Sequence, residues 1–101
     1  MTNTGLMQDL PGEALVREGL ADLEAGRRTI PACLVSMASP RLQRAGILSS
    51  VIALVADPEL EMYRLLRQAG GDAYSRYNSL RRELISFEQA LDHRTRGKAE
   101  S

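Results

Sequence analysis

Histidine and cysteine, the side chains that most often do chemistry in proteins, each occur once in this sequence, as His93 and Cys33. A metal site needs several converging His, Cys or carboxylate ligands, and a nucleophilic cysteine needs a base beside it. His93 lies near the polar C-terminal end and Cys33 lies in an apolar segment. We therefore expect a solvated histidine and a small core cysteine, with no catalytic residue, no cofactor and no metal site.

No glycine-rich phosphate-binding loop is present in the sequence. Neither GxGxxG nor GxxxxGK[ST] occurs, and Gly70-Gly71 is typical of a helix end. The cluster of Asp57, Glu59 and Glu61 is the pattern of acids that complement the dipole at a helix start, which we favour over cation binding. With almost no side chain that titrates near neutral pH, the chain is predicted not to be an enzyme.

Arginine supplies all but one of the thirteen basic residues. This excess suits bidentate recognition of carboxylate or phosphate, but codon bias in a GC-rich genome is the simpler explanation. All four aromatic residues lie at 63–87, interleaved with arginines, an arrangement that can clamp single-stranded nucleic acid. Tyr77 and Phe87 belong to an apolar seam, however, which leaves only Tyr63 and Tyr74 to stack on bases.

A helix-turn-helix is a second nucleic-acid hypothesis. Residues 30–38 would form its first helix and 40–46 its reading helix, presenting side-chain types that read base edges. A single residue connects the two, fewer than the usual 3–4, and the reading helix would span barely two turns. Nucleic acid is therefore disfavoured as a partner. The candidate contact residues, for a partner protein or a nucleic acid, are Arg41, Gln43, Arg44, Arg64, Arg67, Arg76 and Arg82.

The composition describes one small, electrically balanced domain. The 101 residues carry thirteen basic and thirteen acidic groups, and the sequence pI of about 6.6 argues against a dedicated nucleic-acid binder. A lone cysteine suits a reducing compartment. The most apolar run, 47–56, is shorter than the roughly 18 residues of a membrane helix, and no signal peptide is present. We expect a cytoplasmic protein without a membrane segment.

Hydrophobic periodicity predicts an amphipathic helix over residues 12–28. Its apolar face is formed by Leu15, Val16, Gly19, Leu20, Leu23 and Gly26. Because glycine weakens a helix interior, Gly19 indicates a closely packed neighbour, whereas Gly26 indicates the helix end. Two acid-first pairs, Glu13 with Arg17 and Glu24 with Arg28, have the i,i+4 spacing that stabilises a helix.

Cap residues predict where the later helices begin. Thr29 caps a second helix, Ser39 a short third one that Gly46 closes, Asp57 a fourth, and Asp72 the last. Residues 47–56 suit a strand or a buried helix equally well, and without a second strand to pair with we expect helix or irregular structure. Residues 1–11 and 94–101 are predicted to be flexible ends around a helical domain at 12–93.

The last helix, predicted over residues 73–93, carries the sharpest pattern, a narrow apolar seam of Ala73, Tyr77, Leu80, Leu84, Phe87 and Leu91. In a parallel coiled-coil dimer this seam would set Arg76 against Arg81 and Glu83 against Glu88 of the other copy. Such like-charge contacts disfavour the dimer. We expect the seam to pack inside its own monomer, against 12–28 and 57–69; other dimer surfaces remain open.

The sequence as a whole predicts an all-α, small single-domain bundle of four or five short helices, orthogonal or irregular, with its core at 12–28, 57–69 and 73–93. We expect a non-catalytic protein that acts through protein–protein contact, as an adaptor or assembly subunit. The alternative is a nucleic-acid-binding regulator, for example an antitoxin-like protein. A less favoured third reading is a carrier with a small-ligand pocket lined by Met62, Leu66 and Tyr74.

An isolated peptide of residues 72–93 tests the interpretation of the seam. Because the flanking charges repel one another in a pair of such helices, we expect it to stay monomeric in water. Sedimentation equilibrium measures this directly, and a stable peptide dimer would contradict the interpretation.

Overall fold

Caps and glycines divide the chain into five α-helices. They are α1 (Glu13–Glu24), α2 (Ile30–Met37), α3 (Ser39–Arg44), α4 (Pro58–Ala69) and α5 (Ala73–Glu100), preceded by one 3-10 turn at Thr4–Met7. The computed structural model describes the backbone of residues 4–100 and the side chains of 5–96, and within that range it contains no strand. The predicted all-α bundle is confirmed.

A buried carboxylate joins the end of α1 to the start of α2. Gly26 takes a positive φ of 73° and ends α1, so that the Arg27 N–H donates to the carbonyl of Asp22 at 2.8 Å. The side chain of Asp22, a residue only 6% exposed, accepts hydrogen bonds from the Thr29 hydroxyl and from Arg27 Nε. These bonds, led by that from Thr29, hold the pKa of Asp22 below its usual range. Thr29 in turn caps α2 by accepting from the Ala32 N–H at 3.2 Å, as predicted.

The two ion pairs predicted for α1 have different outcomes, because the helix ends before residue 28. Glu13 and Arg17 pair with 2.6 Å between Oε2 and Nε. Since α1 ends at Glu24 rather than at residue 28, Arg28 lies outside the helix and the second predicted pair does not share a helical turn.

Gly19 lies where α1 packs on α2. A β-carbon at this position would come within 2.5 Å of Val35 Cγ2 and still closer to the carbonyl oxygen of Pro31. Real side chains do not approach one another this closely, so only glycine fits. The close neighbour predicted from the sequence is therefore confirmed, and it is α2.

The helix α2 is the centre of the core. Ala32, Cys33, Leu34 and Val35 have no accessible surface, and α2 packs against both α1 and α4. A helix that is apolar on all sides must be buried on all sides. The predicted core, built from 12–28, 57–69 and 73–93, omitted this helix and was wrong in that respect. The sequence did not indicate its burial because a helix of eight residues is too short to show a clear amphipathic period.

The apolar seam of α5 is buried within the monomer, as predicted. Phe87 and Leu91 are at most 1% exposed, Ala73 and Leu84 are buried, and Tyr77 and Leu80 are partly buried. The principal neighbours of α5 are α4, the 3-10 turn and α2. The sequence predicted that residues 12–28 would pack against this seam. In the structure the turn at Thr4–Met7 contacts α5 more extensively than α1 does.

The N-terminal segment contributes to the core before α1 begins. Leu6, Met7 and Leu10 are buried. Arg94 Nη1 reaches back from α5 to the carbonyl oxygens of Leu6 at 3.0 Å and Gln8 at 2.6 Å. Leu6, Met7 and Leu10 therefore belong to the described core although they precede the domain predicted at 12–93, and the backbone of α5 continues to Glu100.

The segment between α3 and α4 is irregular, one of the forms predicted for it. Ile47, Leu48 and Val55 are buried, and the Val55 N–H donates to the Ser36 hydroxyl oxygen at 3.0 Å. Val51, by contrast, is 88% exposed. Buried side chains at both ends thus fix the segment to the core while its middle projects outward.

The two cap predictions at α4 and α5 have different outcomes. Asp72 caps α5, accepting from the Ser75 N–H at 3.1 Å and from the Ser75 hydroxyl at 2.9 Å. Asp57 occupies the predicted position before α4 but makes no side-chain cap hydrogen bond. Its φ of 46° lies in the left-handed region rather than in the extended region that a capping residue normally adopts.

Substitution of Gly19 by alanine tests the close contact between α1 and α2. Alanine favours a helix by about 1 kcal/mol, but overpacking costs roughly 1–3 kcal/mol, more where a backbone must move. We expect the free energy of unfolding to fall by about 2 kcal/mol in urea titrations. Gly5→Ala, whose β-carbon meets nothing within 4 Å, should change it by less than about 0.5 kcal/mol; equal effects would contradict the interpretation.

Candidate functional site

The two residues of intrinsic reactivity are not brought together. Cys33 is fully buried in α2, and burial, assisted by the Glu61 carboxylate, raises the pKa of its thiol to about 11. His93 is exposed on α5. Within the described residues no three His, Cys, Asp or Glu side chains converge as metal ligands. None of the described helices combines the length and apolarity needed to cross a membrane.

Arg41 is held by acidic residues of α5. Its guanidinium pairs with Asp92, and its Nε lies 3.4 Å from Oε2 of Glu88. Partial burial raises the pKa of Glu88, and Arg41 opposes that rise. Arg41, predicted as a contact residue for a partner, therefore joins α3 to α5 through ion pairs within the chain.

The arrangement of α2 and α3 differs from a reading helix and its support. Ala38 alone separates the two helices, and α3 has six residues. Gln43 and Arg44 are exposed, with Arg44 Nε donating to the carbonyl of Pro40 at 3.4 Å. Arg41 and Arg44 line one depression with Asp92 and Arg96 of α5, but Gln43 is not among its described lining residues, so the three predicted base-reading side chains do not line one site.

The remaining candidate arginines are distributed over the molecule. Arg64 makes a two-pronged contact with Glu61 on its own helix, and Arg76 Nη1 donates to the carbonyl of Gly70 at 3.4 Å. Arg67 and Arg82 are exposed, and they line two different shallow depressions. The structure thus does not gather the predicted arginines into one basic site.

The principal concavity instead lies where α2 meets α3, beside the first turns of α4 and α5. It is an open groove of about 980 Å³ that contains all three tyrosines of the chain. We call it the tyrosine groove; it is lined by Ser36, Met37, Ser39, Pro40, Asp57, Pro58, Glu59, Leu60, Tyr63, Tyr74, Tyr77 and Asn78. The sequence analysis weighed Tyr63 and Tyr74 as stacking residues, Tyr74 also as a pocket residue, and Asp57 and Glu59 as cation ligands, but it did not join these positions in one site.

Two of the tyrosines form a fixed pair in the groove. The rings of Tyr63 and Tyr77 meet edge to face, with centroids 6.0 Å apart and planes at 70°. Arg81 contacts the Tyr77 ring in two ways. Its Nη1 donates to the Tyr77 hydroxyl at 3.1 Å, and its guanidinium carbon lies 5.8 Å from the ring centroid. The pair is thus oriented before any ligand arrives.

Two other large side chains of the groove, Leu60 and Tyr74, are open to solvent. Leu60 is 71% exposed and Tyr74 is 67% exposed. Tyr74 and Tyr77 are one turn apart on α5 and therefore share a face of the helix. The groove combines an oriented aromatic pair with two side chains that gain burial only when something covers them.

The charge in the groove has one sign. Asp57 and Glu59 are its charged lining residues among those that the structure describes, and none of these described lining residues is basic, although the chain has twelve arginines. Arg81 approaches Glu59 from outside the lining, with 3.7 Å between Nη1 and Oε1. The groove is therefore an acidic site on a chain of zero net charge.

The predicted small-ligand pocket does not form as described. Met62 and Leu66 have no accessible surface, because they point from α4 into the core. Tyr74 alone of the three lines an open surface. The helical spacing had indicated a shared apolar face, but Met62 and Leu66 are needed to pack α4.

Comparisons with known proteins return no match for this chain. No family model matches the chain, and no curated protein or solved structure matches it significantly. The tyrosine groove is therefore the feature from which a function is inferred.

Replacing Arg41 separates a structural arginine from an exposed one. Arg41→Ala leaves two partly buried carboxylates without their cation, so we expect the free energy of unfolding to fall by about 1 kcal/mol. Arg44→Ala, on the same helix, should stay within about 0.5 kcal/mol of the unmodified protein. Urea unfolding at neutral pH measures both variants. An Arg41→Ala variant as stable as the unmodified protein would show that the ion pairs with α5 contribute nothing to stability.

Proposed function

We propose that this chain is a non-catalytic cytoplasmic protein that acts through protein–protein contact, as an adaptor or an assembly subunit, with the tyrosine groove as its contact surface. The observation that carries the proposal is the exposure of Tyr74 and Leu60 beside the fixed Tyr63–Tyr77 pair. Tyrosine is enriched in protein interfaces and among the residues that dominate their energetics.

The completeness of the core supports this assignment. Apolar residues of every helix are buried within the monomer, so the exposed groove residues are not required to hold the fold together. An exposed apolar patch with a polar rim is a common mark of an interaction site. The buried, weakly acidic thiol of Cys33 is compatible with a reducing compartment and offers no nucleophile.

The alternative of a nucleic-acid-binding regulator has less support. Arg41 and Arg64 are already engaged by carboxylates, and the groove itself carries Asp57 and Glu59, which repel phosphate. A salt titration of binding to a random duplex and a single strand separates the two functions. A log–log slope that indicates several phosphate contacts would favour the regulator over the adaptor.

Variant-dependent capture tests the contact surface. The tagged full chain is incubated with an extract of its source cells, beside Leu60→Ser/Tyr74→Ser and a matched control, Val51→Ser, which removes an exposed apolar side chain elsewhere. We expect the protein and the control to retain the same partner and the double variant to lose it by about tenfold or more. Thermal unfolding verifies that all three are folded, and an identical set of captured proteins for all three would contradict the proposal.

A further inference from the structure

The groove surface consists mainly of flat rings and polar hydrogen-bonding groups. Three tyrosine rings and the pyrrolidine rings of Pro40 and Pro58 line it, with Leu60 and Met37 as its large aliphatic side chains. A groove that receives an amphipathic helix is matched to aliphatic anchors at i, i+3, i+4 and i+7. Flat aromatic walls are matched instead to the flat faces of proline rings in an extended polyproline II segment.

The hydrogen-bonding groups of the groove point to the same kind of ligand. Tyrosine hydroxyls and the Asn78 amide lie among the lining side chains. The Tyr77 hydroxyl accepts a bond from Arg81, which leaves its own proton to donate. A helix satisfies its backbone internally, whereas a polyproline II segment has no internal hydrogen bonds and presents its carbonyl oxygens to such donors.

The charge of the groove adds a requirement on the ligand. Asp57 and Glu59 flank the rings without a basic residue in the lining. Asp57 makes no cap bond to α4, and Glu59 is held only by a 3.7 Å contact with Arg81. A guanidinium or ammonium group beside the prolines would meet complementary charge, while a phosphorylated or acidic segment would be repelled.

We propose that the tyrosine groove binds an extended, proline-rich segment of a partner protein that carries an arginine or lysine next to its prolines. This inference rests on the proposed function and specifies its partner class. Tyr63 and Tyr77 form the oriented wall, Tyr74 and Leu60 close over the prolines, and Asp57 and Glu59 receive the basic side chain.

Fluorescence anisotropy with labelled peptides tests the inference on the full chain. The probes are a set of proline-rich peptides of about ten residues, enough for three turns of polyproline II, with arginine placed at either end. We expect saturable binding by at least one of them, weakened about tenfold or more by Tyr74→Ala and unchanged by Val51→Ser. A peptide of equal charge that forms an amphipathic helix should not compete.

The acidic rim has its own test, a cycle of protein and peptide changes. Asp57→Asn with Glu59→Gln removes both charges, and asparagine tolerates the left-handed conformation of residue 57. We expect this variant to bind the arginine peptide about three- to tenfold more weakly at low salt. It should bind a glutamine-substituted peptide as the unmodified protein does, because the two charges then have no partner to lose.

The outcomes separate this inference from the proposed function. If no proline-rich probe binds, or the helical peptide binds through Tyr74 instead, the inference is overturned while variant-dependent capture can still succeed. Concentration-dependent self-association that is abolished by Tyr74→Ala would assign the groove to a second copy of the chain and would also overturn it. Failure of both capture and peptide binding would remove the proposed function as well.

Discussion

The close approach of α1 to α2 is the contact on which the rest of the architecture depends. Gly19 lets the backbone of α2 come near enough for the side chains of both helices to interdigitate, and the Asp22–Thr29 bond fixes the turn between them. With α2 held in this way, its other sides become the support for α4 and α5. An interior packed as densely as a crystal transmits such a constraint over the whole domain.

The tyrosine groove is a consequence of how three helix ends meet on α2. Helix α2 ends and α3 begins on either side of Ala38, and residues at the starts of α4 and α5 line the groove beside this break. Each of these helices buries one face, so the side chains of their first turns that do not reach the core remain at the surface. The groove therefore combines the rings of Tyr63 and Tyr77, which pack against the core, with the exposed ring of Tyr74.

Periodicity and cap residues predicted a helical chain and about where each helix begins, although Asp57 makes no cap bond and α3 starts at Ser39 itself. The Thr29 and Asp72 caps, the close neighbour of Gly19 and the buried seam of α5 were correct, because each leaves a local pattern in the sequence. The central position of α2, the burial of Asp22 and the packing of Leu6 and Met7 were missed, since each is decided by contacts between distant segments. The groove was missed for the same reason: its residues come from three separate stretches, 36–40, 57–63 and 74–78, which only the folded chain brings together.

The hydrogen bonds from Arg94 to the carbonyl oxygens of Leu6 and Gln8 join segments 88 and 86 residues apart. Each such contact closes a long loop of chain, at an entropic cost that rises only slowly with loop length. Contacts between distant segments form more slowly than the local bonds of a helix. The N-terminal turn takes its final place only when Arg94 of α5 is in position, so the two ends of the described fold depend on each other.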